Sequence, residues 1–210
     1  MTMRTICLFL SIALFQTTLS AQNMATRSLP AFDEIAISGG YDKVILKEGG
    51  SESITIEAEG VNPEDIVTEV KGNTLNVKMK KGSYKKSKIN LSISYRSLKS
   101  VSNSGSSDIH AENPIKGDSF EFNSSGSGDF TGAFDVKKLN INISGSSDMK
   151  LSGKADKQAY AISGSGDVDA AKLSGGEADV AISGSGDISL NVSGPVRSAV
   201  SGSGKVNNQK

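Results

Sequence analysis

Ser125-Gly126-Ser127-Gly128-Asp129 returns as Ser144-Gly145-Ser146-Ser147-Asp148 and again as Ser163-Gly164-Ser165-Gly166-Asp167. Ser104-Gly105-Ser106-Ser107-Asp108 precedes these units; Ser183-Gly184-Ser185-Gly186-Asp187 and Ser201-Gly202-Ser203-Gly204-Lys205 follow them. The spacings are 21, 19, 19, 20 and 18 residues. A period near 20 with strand-like flanks is the signature of a solenoid, in which each repeat is one coil stacked on the last. A coil of that length holds two or three short strands joined by turns, at ~3.3 Å per residue.

The six units align with one another. The second position is always Gly, so the backbone there needs either positive φ or close approach to the next coil. An apolar residue follows the Asp: Ile109, Phe130, Met149, Val168 and Ile188, with Val206 after Lys205. Three residues after the Asp stand Ala111, Gly132, Leu151, Ala170 and Leu190. Strand side chains alternate, so these two positions face inward. The Asp, and His110, Thr131, Lys150, Asp169 or Ser189 two residues on, then face solvent.

Upstream, period-two alternation marks half-buried strands at Ile35/Ile37, at Ile54/Ile56/Ala58, at Leu75/Val77/Met79 and at Ile89/Leu91/Ile93/Tyr95. Ser38-Gly39-Gly40 and Gly49-Gly50 read as turns. Lys71-Gly72-Asn73 predicts a hairpin between Ile66–Val70 and Thr74–Met79. Pro63-Glu64-Asp65 opens one helical turn at most. The expected organisation is a signal peptide over 1–21, a polar linker over 22–30, a less regular β region over 31–101 and coils over 102–207. Residues 31–207 are expected to form one continuous domain.

Composition suits a narrow core: 36% of residues are hydrophobic, 5% are aromatic and Trp is absent. Arg4, the apolar run Ile6–Phe15 and the small residues ending at Ala21 predict an export signal, too short to span a membrane. Its removal takes the only cysteine, Cys7, and leaves 22 basic against 23 acidic residues. Such a chain has no disulfide, thiol nucleophile or Cys metal site. Near-neutral charge argues against nucleic acid, which demands a basic excess. No second apolar span follows, so a periplasmic, surface or secreted product is expected.

Two clusters are candidate sites. Asp108, Asp129, Asp148, Asp167 and Asp187 would stack about 4.8 Å apart, where carboxylates repel by roughly 1 kcal/mol even in water. Calcium would relieve this, as in shorter acidic repeats. So would hydrogen bonds from backbone N–H groups of the turn. One Asp per coil offers few of the oxygens that calcium wants, which favours the second reading and no cofactor. The other cluster is Lys78, Lys80, Lys81, Lys85, Lys86 and Lys88 around Gly82-Ser83-Tyr84. It reads as an anionic-ligand patch or as a lysine-protected, solvated hairpin tip. Catalysis finds no support: His110 is the lone histidine, and serines repeated six times speak for structure, since a nucleophile is singular.

The chain resembles the family described as putative auto-transporter adhesin, head GIN domain, found among exported Bacteroidetes proteins. The resemblance rests on Phe32-Asp33-Glu34-Ile35-Ala36-Ile37-Ser38-Gly39 followed by Tyr41-Asp42 and Val44-Ile45-Leu46, on Lys71-Gly72-Asn73-Thr74-Leu75-Asn76-Val77, and on the S-G-S-G-D ladder. It implies a right-handed parallel β-solenoid and an adhesive role, and it supplies no catalytic residues. The expected protein is an all-β, non-enzymatic binding module for a glycan or protein partner. The alternatives are a scaffold that self-associates through its solenoid edges and a calcium-binding repeat protein.

Overall fold

The computed structural model describes residues 23–82 and 87–210. The expected signal peptide lies outside these residues. The described chain is built of strands: β1 (Asn23–Ser28), β2 (Glu34–Gly39), β3 (Lys43–Glu48), β4 (Ser53–Glu59), β5 (Ile66–Lys71), β6 (Thr74–Met79), β7 (Lys88–Tyr95), β8 (Ser100–Gly105), β9 (Ile109–Ala111), β10 (Ile115–Ser124), β11 (Phe130–Gly145), β12 (Met149–Gly164), β13 (Val168–Gly175), β14 (Glu177–Gly184), β15 (Ile188–Val192), β16 (Val196–Gly202) and β17 (Val206–Asn208). A single 3₁₀ turn, Pro63–Asp65, is the only helical element among the described residues. No helix of the described residues is long and apolar enough to cross a membrane.

Parallel pairing stacks these strands into the walls of a β-solenoid. One wall runs β6, β2, β8, the C-terminal half of β10, then the corresponding parts of β11 and β12, then β14 and β16. A second runs β7, β3, β9, the starts of β11 and β12, then β13, β15 and β17. The long β11 and β12 bend through a third side, where Ile115–Gly117 pairs with Phe134–Val136. Each S-G-S-[GS]-D unit is the corner between the first two walls.

The alternation dictates the core. Ile109, Phe130, Met149, Val168 and Ile188 are buried, and so are Ala111, Leu151, Ala170 and Leu190. Phe120, Phe122, Phe130 and Phe134 fill the middle coils, with the Phe122 and Phe130 rings 4.5 Å apart. Gly132 is the counterpart of this crowding: a Cβ there would lie 2.9 Å from the Phe130 ring. The repeated Gly is required by close approach in all six copies, and by positive φ as well in the last four. At Gly145 and Gly164 φ is +152° and +141°, and a Cβ would overlap the backbone of the preceding coil's Gly.

Two expectations need correction. The segment expected as a polar linker contains β1, which pairs antiparallel with β4 from Asn23↔Ala58 to Ser28↔Ser53. Arg27 anchors it by donating to the carbonyls of Ile66 (2.6 Å) and Pro63 (2.9 Å). An outermost strand keeps one face in solvent, so its polar composition did not read as a strand. The boundary expected near residue 101 is not where coiling starts, either. β2 and β3 already form a coil, lying between β6–β7 on one side and β8–β9 on the other. From Gly39↔Gly105 to Val44↔Ile109 this first coil carries one extra residue, which hid its kinship with the later turns. The predicted hairpin is present, with Lys71 opposite Thr74 and Gly72 at φ +60°.

Candidate functional site

The Asp row stands on the exposed corner of the coils. Each carboxylate takes a backbone N–H from the next coil: Asp108 Oδ1 accepts from Asp129 (3.1 Å), Asp129 from Asp148 (3.0 Å), Asp148 from Asp167 (2.9 Å) and Asp167 from Asp187 (2.8 Å). Asp187 accepts from Lys205 N–H at 2.8 Å. The bonds run between coils, whereas the sequence reading placed them within a turn. One oxygen of every Asp is thus committed to holding the stack. Among the described residues, no three His, Cys, Asp or Glu side chains come together in a group that could hold a metal ion.

The fourth position of the repeat is structural where it is Ser. Ser107 is fully buried; its hydroxyl accepts from Tyr41 N–H (3.1 Å) and donates to Gly39 O (3.2 Å). Ser147 Oγ lies 2.6 Å from Ser124 Oγ. His110 is exposed on β9. Of the lysine cluster, Lys78, Lys80, Lys81 and Lys88 are exposed, with Lys80 Nζ 3.8 Å from Asp65. Lys85 and Lys86 lie outside the described residues.

A further concave surface carries no motif in the sequence. It is the outer face of the first wall, where pairing register lines up three columns of side chains. The first runs Glu34, Ser100, Glu121, Asn140, Ala159, Asp179, Arg197. The second runs Ala36, Ser102, Asn123, Asn142, Ala161, Ala181, Ala199. The third is a row of serines on the same face, including Ser104, Ser144, Ser163 and Ser183. Two adjoining hollows, of about 440 and 620 Å³, share Asn142, Ala161 and Ala181 and make one trough along this face. Its signal was present in the sequence as the positions that alternate with the buried Ile143, Ile162 and Ile182. Small residues carry no chemical motif, so alternation alone does not mark these positions as a site.

The trough has a polar rim on a floor of small side chains. Asn142 Nδ2 donates to Asn123 Oδ1 (2.8 Å) and Glu121 Oε1 (3.3 Å), and Asn123 Nδ2 donates to the same Glu121 oxygen at 3.2 Å. This fixes three planar side chains in one arrangement. At the other end Arg197 grips Asp179 with two bonds, Nε–Oδ1 at 2.5 Å and an Nη2–Oδ2 contact at 3.1 Å. It also reaches Glu177, which pairs with Lys157 at 2.8 Å. Hydrogen bonding from Arg197 holds the Asp179 carboxyl below its ordinary range, and Lys157 does the same for Glu177.

Residues 31–209 match the family described as putative auto-transporter adhesin, head GIN domain, and the chain belongs to that family. Among solved structures, a putative adhesin from Bacteroides fragilis NCTC 9343 is 23% identical, with TM-score 0.74, covering 90% of this chain and 97% of its own. A putative adhesin from Parabacteroides merdae ATCC 43184 is 18% identical, with TM-score 0.67, over 91% and 98%. A putative lipid binding protein from Parabacteroides distasonis ATCC 8503 is 20% identical, with TM-score 0.63, over 90% and 97%. These likenesses establish the solenoid fold. No curated protein matches the chain.

Proposed function

We propose that this head GIN domain chain is a non-enzymatic binding module, exported to the bacterial envelope or exterior, and that the trough on the first wall holds a glycan. The observation that carries the reading is the trough's lining. Fixed amides and carboxylates (Asn123, Asn142, Glu121, Asp179) stand beside a row of serine hydroxyls over an alanine floor. Sugars offer closely spaced donors and acceptors, and such a surface answers both. An acyl chain wants long apolar side chains around it, and the floor here is Ala159, Ala161, Ala181 and Ala199. That favours a glycan over the lipid suggested by one structural neighbour's name. Binding rather than turnover is supported by repetition, since the hydroxyls and carboxylates recur coil after coil with no singular nucleophile among them. The family description and the adhesins of similar fold agree with the reading.

The test is a glycan array probed with the full chain, with and without calcium. We expect a retained glycan whose binding does not need calcium and is lost in Ala161→Trp, which fills the trough from an exposed position. An array that retains nothing, or a glycan held equally by Ala161→Trp, would overturn the assignment.

A further inference from the structure

The two ends of the solenoid differ. At one end, β5 lies antiparallel on β6, β4 lies antiparallel on β7, and β1 lies on β4, so reversed strands cover the stack. At the other end β16 pairs with β14, and no described strand lies on its far side. Its inward residues Val196, Ser198 and Val200 continue the columns of the buried Ala178, Val180 and Ile182; Val196 is half-buried against the core, but Ser198 and Val200 are exposed, Val200 at 43%.

The free edge can be read residue by residue. Ala178 N–H donates to Pro195 O and Ser203 N–H to Gly184 O. Backbone groups of a parallel strand alternate in direction, so the odd-numbered positions of β16 face β14. Val196, Ser198, Val200 and Gly202 therefore aim both N–H and C=O at the open side. No proline interrupts this row. The strand's one charge, Arg197, is held by Asp179 and Glu177 of its own sheet. The devices that usually blunt an exposed edge are missing here.

We infer that β16 pairs with β16 of a second copy of this chain, antiparallel about a two-fold axis at Ala199. This register joins Ser198 to Val200 and Val196 to Gly202 of the other copy. All four outward residues then fall in positions where antiparallel partners exchange both hydrogen bonds. A two-fold axis normal to the sheet keeps faces matched, so Val200 and Val196 meet the partner's inner face and the first wall runs on from one copy into the other. Charge agrees with the register. Arg197 comes opposite Ser201 of the other copy, and the two arginines stand four residues apart along the strand. The same interface lies on both copies and each uses it once, so the contact closes as a dimer instead of growing a filament.

The test uses sedimentation velocity and cross-linking on the full chain carrying Cys7→Ser. Wild type should sediment as a dimer at micromolar concentration. Ser198→Pro removes an outward N–H while leaving the β14 ladder intact; it should sediment as a monomer with an unchanged circular dichroism spectrum. At the axis Ala199 faces its own copy as a non-hydrogen-bonded pair, with Cα atoms about 4.5 Å apart, within disulfide reach. Ala199→Cys should therefore oxidise to a covalent dimer, and Ser201→Cys, about 13 Å from its copy at 3.3 Å per residue, should not. Monomer at every concentration, open-ended growth, a dimer indifferent to Ser198→Pro, or equal cross-linking by the two cysteine variants would each overturn the inference.

Discussion

Gly164→Ala is the most direct challenge to the account of the coil corner. Gly164 sits at φ +141°, and a methyl group there would run into the backbone of Gly145 on the preceding coil. Forcing an L-residue into that conformation costs about 1–3 kcal/mol. Relief requires the two coils to move apart, which weakens the Ser165 N–H bond to Gly145 O (3.0 Å). That bond is worth roughly 0.5–1.5 kcal/mol. The expected loss is about 1.5–4.5 kcal/mol, a large part of the ~5–15 kcal/mol that holds most domains folded. It should appear in urea denaturation followed by circular dichroism. It should also lower the midpoint of thermal melting by about 2–4 °C for every kcal/mol. Gly40→Ala is the control, because nothing lies within 4 Å of its added methyl, and it should stay within ~0.5 kcal/mol of wild type. A Gly164→Ala protein as stable as the Gly40→Ala protein would refute the claim that close approach of coils is what the repeated glycine serves.

Asp148→Asn should change stability by less than ~0.5 kcal/mol, because the amide oxygen can still accept from Asp167 N–H and a like charge leaves the row. Asp148→Ala should cost about 0.5–1.5 kcal/mol, and urea denaturation separates the two outcomes. Tyr95 is buried, its hydroxyl is pushed up to about 12 chiefly by desolvation, and its oxygen finds no hydrogen-bond partner among the described residues. Tyr95→Phe should therefore be neutral or stabilising by about 1 kcal/mol in the same assay; a clear loss would mean the hydroxyl has a partner. Asp179 and Glu177 are held below their ordinary values of 3.8 and 4.5. Their contribution is present above those values and is lost as pH falls through the lowered folded-state values. The opening free energy that hydrogen exchange reads for β14 and β16 should fall as pH drops through those values while that of β11 and β12 holds, and Arg197→Ala should shrink this pH dependence.

Much of the architecture was legible because the six corners can be compared with one another. Inward and outward positions around Ile109, Phe130, Met149, Val168 and Ile188 follow from alternation alone, and the stacked glycines follow from their invariance within the chain. What stayed hidden has a physical reason in each case. β1 is polar because its one neighbour leaves a face in water. The first coil escaped notice because Gly39 to Val44 is one residue longer than Gly105 to Ile109, and because its neighbours in space are distant in sequence. Alternation places the Asp row outward, but the partner of each carboxylate is an amide on the next coil, a relation that no local pattern records. The trough needed the register, since Asn142, Ala161 and Ala181 form one surface only after their strands are stacked.

The placement of β2 and β3 between later strands sets an order of events for the folding chain. These residues are synthesised early, yet one neighbour is complete only at Tyr95 and the other only at Ala111. Pairing such as Glu34 with Ser100 closes a loop of some sixty residues, and that entropy is spent before any neighbouring contact returns it. Once this seam is shut, each following coil needs only about twenty residues to lay itself on a finished template. The slow step of folding therefore belongs to the first half of the chain. Lesions at Ile37 or Leu46 should slow refolding, whereas those at Ile188 or Leu190 should speed unfolding.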